Sequence, residues 1–183
     1  MDSTKRDEVL RFWYEELSPP QWFKSTPELD EEIVRRFGEL LRSLSSCDAS
    51  SLATTALDGL AAVIALDQFT RTIHRGSSSA FSNDALALAV ANLMLERGLA
   101  DALGEMQRYF LYMPLMHSEA VADQQRSLSL FEALGNESGV HWAKDHFDVI
   151  ARFGRFPHRN RVLNRESTPE ELAYLEGANT YGQ

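Results

Sequence analysis

Apolar residues recur along the chain at the three- and four-residue spacing of amphipathic α-helices. The clearest stripe starts after Thr26-Pro27, a capping residue followed by a proline at the first helical position, and it runs to Leu44. A second pattern, from Ala53 to Ile73, is apolar on every face in its middle, as in a helix surrounded by other helices. The sequence therefore predicts a helical core centred on this second segment.

Capping signals mark the ends of the other predicted helices. Glycine stands just beyond three of them, at Gly98, Gly135 and Gly154, where a residue in the left-handed conformation can close a helix. Ser118 is expected to cap the helix that ends before Gly135. A capping box, Thr-Pro-Glu-Glu at residues 168–171, starts the closing helix.

Two further expectations concern the segments between helices. Pro114 is expected to end a short helix that begins near Leu103, because proline lacks the backbone N–H that a helix interior needs. Trp22 and Phe23 follow the proline pair that ends the first helix. We expect both aromatic side chains to plug this connecting loop into the core.

Strands are not expected. No Asn-Gly or Asp-Gly turn lies between alternating apolar runs, which would be the signal of a hairpin. Most connections are short, which favours antiparallel helix pairs laid side by side. We therefore predict an all-α fold in which residues 1–183 form a single domain, large enough to bury a core without disulfides or metals.

The 183-residue chain has a formal net charge of -9, which opposes general binding to nucleic acid phosphates and to anionic membrane surfaces. No apolar run approaches the length of a membrane span, and the charged N-terminus lacks the apolar core of a signal peptide. The single cysteine, Cys47, suits a reducing compartment. We therefore predict a cytoplasmic protein with no nucleic-acid or membrane partner.

Three polar motifs interrupt the apolar pattern: Leu-Asp-Gln-Phe-Thr-Arg at 66–71, Tyr-Met-Pro-Leu-Met-His-Ser-Glu at 112–119, and Arg-Phe-Gly-Arg-Phe-Pro-His-Arg-Asn at 152–160. Together they resemble a bacterial family known as domain of unknown function 924. The resemblance extends from Phe12-Trp13 to the capping box at 168–171, and the third motif is long enough to be specific. It implies a tetratricopeptide-like fold, with antiparallel helix pairs in a right-handed array, and it implies no activity.

The chain departs from the family pattern at four positions. Thr70 replaces a usual proline, Thr72 a usual asparagine, Ala120 a usual aspartate and Asn164 a usual glycine. Because Ala120 cannot act as a metal ligand or a base, we assign no catalytic role to that position.

Asp67 and Arg71 are four residues apart and follow the all-apolar run directly, so they share a helix face and are expected to be partly buried. In one interpretation they form an ion pair that joins this helix to the next, because buried charges need partners. In the other, Arg71 binds a ligand and Asp67 orients it.

His117 and Glu119 flank Ser118 where a loop enters a helix, so main-chain N–H groups and the positive end of the helix dipole lie nearby. In the structural interpretation, Glu119 complements the dipole and His117 bonds a backbone carbonyl. In the functional interpretation, His117 moves a proton and Glu119 tunes its pKa. His146, one helical turn from Trp142, is expected to be half-buried.

The 152–160 motif alternates arginines and phenylalanines just after a helix ends, and the phenylalanines are expected to anchor this loop in the core. Arg155, His158 and Arg159 then have two possible roles. They could bond the last helix carbonyls and neighbouring carboxylates. Alternatively, they could form the floor of a pocket for phosphate or carboxylate, because guanidinium groups bind planar anions through two parallel hydrogen bonds.

Familiar cofactor and metal signatures are absent from the sequence. It contains no Walker loop, no dinucleotide-binding fingerprint and no Gly-x-Ser-x-Gly elbow. The histidines also lack the helical spacing of zinc ligands. We therefore predict neither a cofactor nor a metal.

These observations leave three hypotheses open. In the leading one, the chain is a binding module whose polar groove holds an anionic small molecule or the end of a peptide. The candidate residues are Asp67, Arg71, His117, Glu119, His146, Arg155, His158 and Arg159. In the second, they serve a small enzyme with histidine-based acid–base or hydrolytic chemistry. In the third, the motifs are structural parts of a scaffold for protein partners.

Overall fold

The computed structural model describes residues 1–177, and within that range the fold is all-α, without a strand. In chain order, the α-helical segments of this range are α1 (Ser3–Arg11), α2 (Pro19–Phe23), α3 (Pro27–Leu44), α4 (Ala49–Leu52), α5 (Ala56–Val63), α6 (Thr70–Ile73), α7 (Asp84–Glu96), α8 (Glu105–Met116), α9 (Val121–Leu134), α10 (Glu137–Phe153) and α11 (Pro169–Leu175). The array geometry implied by the resemblance stays a prediction. So does the single domain of residues 1–183, since 178–183 lie outside the described range.

Shorter stretches adopt other helical geometries. Tight turns of the three-ten type occupy Ser78–Phe81, Leu99–Ala102 and Pro157–Arg159. Wider π-helical turns follow α1 at Phe12–Glu16 and join α5 to α6 at Ile64–Phe69. In these turns a backbone hydrogen bond can span five residues, as between Leu17 N and Phe12 O at 3.1 Å. Because π turns are frequent at functional sites, these two stretches indicate where a site is to be sought.

The continuous helix formed by α5, the π turn and α6 lies at the centre of the core, as the sequence predicts. Every residue from Leu60 to Leu66 is at most 1% exposed. Phe37 of α3 stacks on Phe69 with ring centroids 4.6 Å apart, and Phe12 lies 5.0 Å from Phe37. This packing fixes the polar residues that follow Leu66 against the centre of the molecule.

Most of the predicted caps are confirmed. The Thr26 hydroxyl accepts a hydrogen bond from Leu29 N, and Thr168 forms the predicted capping box with Glu171. Gly98, Gly135 and Gly154 have φ angles of 67°, 73° and 68°, the left-handed conformation that a side chain disfavours. Capping chemistry therefore locates these helix ends correctly.

Three local expectations are wrong. Pro114 lies inside α8, whose residues from Tyr109 to Met116 are all buried, so packing on every face outweighs the lost backbone hydrogen bond. Ser118 does not cap α9, because its hydroxyl donates to Asp123 and the helix starts at Val121. Phe23 is 59% exposed, whereas the partly buried Trp22 packs against the core.

Candidate functional site

A cavity of about 420 Å³ opens beside the central helix. Its walls come from the π turn after α1, from α2, from the start of α3, from α6 with its preceding π turn, and from α8 and α10. Both π turns therefore contribute to its lining. The volume lies in the range of roughly 300–1,000 Å³ that is typical of small-molecule sites.

Aromatic and other apolar side chains form most of the cavity lining. These residues are Trp13, Leu17, Trp22, Phe23, Leu29, Ile33, Tyr109, Met113, Met116 and Trp142. Trp13 and Trp22 stack with ring centroids 6.5 Å apart, and Trp22 Nε1 donates to Trp13 O at 2.7 Å. That hydrogen bond ties α2 to the first π turn. A surface of this kind suits a flat, apolar ligand.

A polar stripe also lines the cavity, from α6 and its two ends. Gln68, Arg71, Thr72 and Arg75 recur at the spacing that places side chains on one helix face. Arg75 is 40% exposed and donates to both carboxylate oxygens of Asp30 at 3.3 Å. The stripe thus brings two guanidinium groups to the cavity, one of them at its exposed edge.

Asp67 is the buried centre of the polar residues, and none of its surface is exposed. Its Oδ1 atom accepts from Arg71 Nη2 at 3.3 Å and lies 2.7 Å from His117 Nδ1. Its Oδ2 atom accepts from the side-chain amide of Gln68. The carboxylate therefore holds three cavity-lining groups, from the π turn, from α6 and from the end of α8, in one arrangement.

Asp84, at the start of α7, extends this network. Arg71 donates to both of its oxygens, at 3.1 and 3.3 Å, and Arg159 Nη1 lies 3.5 Å from its Oδ2 atom. Arg159 also donates to the backbone carbonyl of His117 at 3.0 Å. We call Asp67, Arg71, Asp84, His117 and Arg159 the cavity cluster. Its two carboxylates balance its two guanidinium groups.

The protonation of the Asp67–His117 pair follows from its surroundings. Burial alone would raise the pKa of the Asp67 carboxyl, but His117 and Arg71 together lower it below its usual value. Burial lowers the pKa of His117, and Asp67 offsets only part of this effect. At neutral pH, Asp67 is therefore ionised and His117 is neutral. The Nδ1–H group of His117 donates to Asp67, which leaves Nε2 as an acceptor.

His146 places a second neutral imidazole in the cavity lining. Its ring centroid lies 6.2 Å from that of His117. Its Nδ1 atom lies 2.8 Å from Trp142 O and donates to that carbonyl. Burial lowers the pKa of His146 to about 3. The side chain is more deeply buried than predicted, since the residue is only 6% exposed.

Glu119 and Arg155 lie outside the cavity lining, in a second ion-pair cluster. Glu119 accepts from Arg165 Nη1 at 2.7 Å, from Arg165 Nη2 at 3.0 Å and from Phe156 N at 2.8 Å. Arg155 donates to the two oxygens of Glu171 at 2.6 and 2.8 Å. We call Glu119, Arg155, Arg165 and Glu171 the C-terminal clasp. It fastens the segment from α10 to α11 onto the rest of the fold.

His158 and Arg159 share one turn but serve different surroundings. Arg159 is 6% exposed, and its guanidinium lies over the rings of Phe81 and Phe156, 4.7 and 4.4 Å from their centroids. His158 lies 5.4 Å from the Phe156 ring, and burial lowers its pKa to about 3. Neither residue lines the cavity, although Arg159 belongs to the cluster behind it.

The structure therefore divides the eight candidate residues into three groups. Arg71, His117 and His146 line the cavity, whereas Asp67 and Arg159 support it from behind. Glu119, Arg155 and His158 lie elsewhere. Both interpretations of Arg71 are compatible with this placement, because it pairs with α7 and also borders the cavity.

Sequence reasoning missed two partners and the aromatic lining. Asp84 reads as an ordinary acid in the first turn of a helix, and Arg165 is 46 residues from Glu119. Neither position carries a local signal of its partner. The sequence predicted that the tryptophans pack in the core or fill a connecting loop. The structure shows that a cavity remains between them.

Within residues 1–177, no three histidine, cysteine, aspartate or glutamate side chains are grouped to hold a metal ion. Over the same range, no helix combines the length and apolar character needed to cross a bilayer. The cavity residues themselves offer hydrogen bonding, charge pairing and proton transfer by imidazole.

Comparison with known proteins gives a family but no activity. No curated protein matched the chain. A solved structure of a protein of unknown function, ATU0120 from Agrobacterium tumefaciens, is 35% identical and superposes with a TM-score of 0.91, over 97% of this chain and 100% of that chain. A family described as bacterial protein of unknown function (DUF924) matches residues 9–179. The resemblance is confirmed, and the chain belongs to the DUF924 family.

Proposed function

We propose that the chain binds a small amphipathic anion in the cavity. The aromatic or apolar body of the ligand would lie against the tryptophans, and its carboxylate-type head would lie beside Arg71 and His117. One observation carries this proposal: the aromatic lining and two members of the cavity cluster, Arg71 and His117, border the same cavity of about 420 Å³. Ligand sites commonly combine apolar walls with a few polar groups that fix orientation.

His117 accounts for the choice of an anionic head. The charge of Arg71 is already balanced by Asp67 and Asp84, so Arg71 alone gives a ligand limited attraction. Neutral His117, however, can take up a proton at Nε2, and the imidazolium then lies between Asp67 and the ligand head. Binding of a carboxylate is therefore coupled to the uptake of one proton, and its affinity falls as the pH rises.

Calorimetric titration with naphthylacetate and its uncharged amide tests this proposal. We expect the carboxylate to bind about tenfold more tightly, a difference of about 1.4 kcal/mol. Titrations in buffers of different ionisation enthalpy are expected to show an uptake close to one proton. Equal affinities would refute the anionic head, and failure of both compounds to bind would refute the proposed function.

Arg75→Gln and Arg152→Gln form a matched pair of variants for the same titration. Each arginine is exposed and pairs with a carboxylate, but only Arg75 borders the cavity. We expect weaker carboxylate binding in the first variant alone. A peptide ending in phenylalanine carries the same head and body, so its inclusion separates a peptide end from a metabolite.

A cytoplasmic location is part of the proposal. It is supported by the lone cysteine, Cys47. A bound metabolite anion would be available in that compartment.

A further inference from the structure

We propose that His117 is the general base of a hydrolytic reaction in the cavity. It takes a proton from a water molecule that attacks the carbonyl carbon of an ester with an aromatic acyl group. This inference rests on the proposed function, because the acid released by such a reaction is the amphipathic carboxylate for which the cavity is suited. The cavity would then hydrolyse an ester substrate as well as bind the carboxylate product.

The geometry of the Asp67–His117 pair meets the first requirement of a general base. Nδ1 of His117 lies 2.7 Å from Asp67 Oδ1, and Asp67 is itself held by Arg71 and Gln68. A buried carboxylate in this position fixes the ring orientation and the tautomer. Since His117 lines the cavity, Nε2 is the ring nitrogen left for a substrate or a water molecule.

The charged and titratable groups around His117 come from several elements. They are Asp67 and Arg71 on the central helix, Asp84 on α7, His146 on α10, and His158 and Arg159 on the turn after α10. Burial, with a smaller contribution from the charge of Arg71, lowers the pKa of His117 below its ordinary value, and the raising effects of Asp67 and Asp84 offset this only in part. The imidazole is therefore unprotonated at neutral pH, as a general base must be.

Water is the nucleophile that this arrangement can supply. Among residues 1–177, the imidazole of His117 hydrogen-bonds to Asp67, and no serine, threonine or cysteine side chain donates to it. Three hydroxyl side chains line the cavity, those of Ser25, Thr72 and Ser138, and within residues 1–177 none of them is hydrogen-bonded to His117; the Ser25 hydroxyl donates to Asp30. A covalent intermediate on a side chain therefore has no activated nucleophile here, whereas a water molecule at Nε2 would be activated directly.

The reaction is balanced without a further reactant. As the water oxygen bonds to the carbonyl carbon, its proton passes to Nε2 and the carbonyl π electrons move to the carbonyl oxygen. The tetrahedral adduct then re-forms the carbonyl and breaks the bond to the alkoxy oxygen, which takes the proton from Nε2. Ester and water become acid and alcohol, and His117 returns to its neutral form. The imidazolium formed at His117 supplies positive charge beside the developing oxyanion, and Arg71, whose charge Asp67 and Asp84 balance, adds limited attraction.

Hydrolysis of p-nitrophenyl naphthylacetate, followed by release of nitrophenolate, tests the inference. We compare the wild type with His117→Gln and with His141→Gln, which removes an exposed histidine outside the cavity lining. We expect kcat/KM to fall at least about 100-fold in the first variant and to stay unchanged in the second. Binding of naphthylacetamide to each variant reports whether the cavity is still formed.

Asp67 is a positioning residue in this scheme, and Asp67→Asn tests its role. Because Asp67 raises the pKa of His117, its loss is expected to shift the acid limb of the kcat/KM profile to lower pH while kcat falls. A purely structural carboxylate would leave that limb where it is in the wild type.

The outcomes separate the inference from the proposed function. If naphthylacetate binds but wild type and His117→Gln hydrolyse the ester at the same rate, the inference is overturned and the binding function stands. If neither naphthylacetate nor its amide binds, the proposed function fails. A loss of hydrolysis confined to His117→Gln, with the amide still bound, supports the general base.

Discussion

The cavity cluster and the C-terminal clasp are built from the same kinds of charged side chain, arginines and carboxylates, in different surroundings. Each pairs arginines with carboxylates from distant parts of the chain, as Arg159 does with Asp84 and Arg165 with Glu119. The cavity is lined by residues of the first cluster and by none of the second. The first cluster also contains a neutral imidazole with one nitrogen left for a ligand.

This difference shows that arginine–carboxylate pairing does not by itself distinguish a candidate binding site from structural support. Buried charges require partners in either case. What separates the two regions is an adjoining space and a group that can change its protonation inside it. The predictions below challenge that separation, beginning with the largest expected effect.

Asp67→Asn is expected to have the largest effect, because it leaves Asp84 as the one carboxylate that balances both Arg71 and Arg159 in the cavity cluster. Breaking a buried ion pair leaves one charge without its partner, so we expect the free energy of unfolding to fall by about 3 kcal/mol. Urea denaturation measures this change. Asp148→Asn, in an exposed pair with Lys144, is the control. A loss no larger than that of the control would show that the cavity cluster does not stabilise the fold.

His146→Gln tests the contribution of a cavity imidazole to acid sensitivity. Burial lowers the pKa of His146 from 6.5 to about 3, so the unfolded chain binds a proton first as the pH falls. Wild-type stability is therefore expected to decline from pH 6.5 towards 3, and the variant to decline less. Melting temperatures across this range measure the difference. Parallel curves for the two proteins would contradict the prediction.

Glu171→Gln tests the C-terminal clasp. Arg155 lowers the pKa of Glu171 from 4.5 to about 2, so its stabilising effect is present above pH 4.5 and is lost as the pH falls towards 2. At neutral pH we expect the free energy of unfolding to fall by about 2 kcal/mol, since charge-assisted hydrogen bonds are weakened. Affinity for naphthylacetate is expected to stay the same. A change in affinity would show that the clasp belongs to the binding site.

Lys144→Ala is expected to have the smallest effect. The Lys144–Asp148 pair lies on the surface of α10, with side chains 63% and 57% exposed. Exposed pairs contribute little, so we expect a change of at most about 0.5 kcal/mol in urea denaturation. A larger loss of unfolding free energy would show that an exposed pair can stabilise the fold as a buried cluster does.

The helices were largely predictable because their signals are local. A cap such as Thr26 or Thr168 bonds a backbone N–H three residues later, and Gly135 or Gly154 ends a helix through its own φ angle. The prediction that Pro114 ends its helix was wrong, because the burial of the whole end of α8 depends on tertiary packing and not on a local signal.

The candidate site was predictable only in part. Asp67, Arg71 and His117 do converge, and the spacing of the first two indicates a shared face. Their convergence with Asp84, and the separation of Arg155 from the cavity, depend on helix packing that no sequence spacing encodes. The arginine-rich motif at residues 152–160 therefore predicted charged clusters, but it did not predict which of them borders the cavity.

The backbone bears on two of the expected departures from the family pattern. Asn164 has a φ of 52°, a left-handed conformation that asparagine tolerates better than most residues, so it can stand in place of glycine. Ala120 occupies the position before α9 and offers no side-chain cap. An aspartate there would have a capping role available to it.

The π turn at Ile64–Phe69 holds more residues than an α-helical turn over the same rise. Each residue advances an α-helix by about 100° around its axis, so an extra residue sets the angular phase of everything that follows it. Deleting one residue there would rotate the stripe carrying Arg71 and Arg75 away from the cavity, with almost no change in composition. The side chains that face the cavity are thus set by a residue count as well as by residue identities.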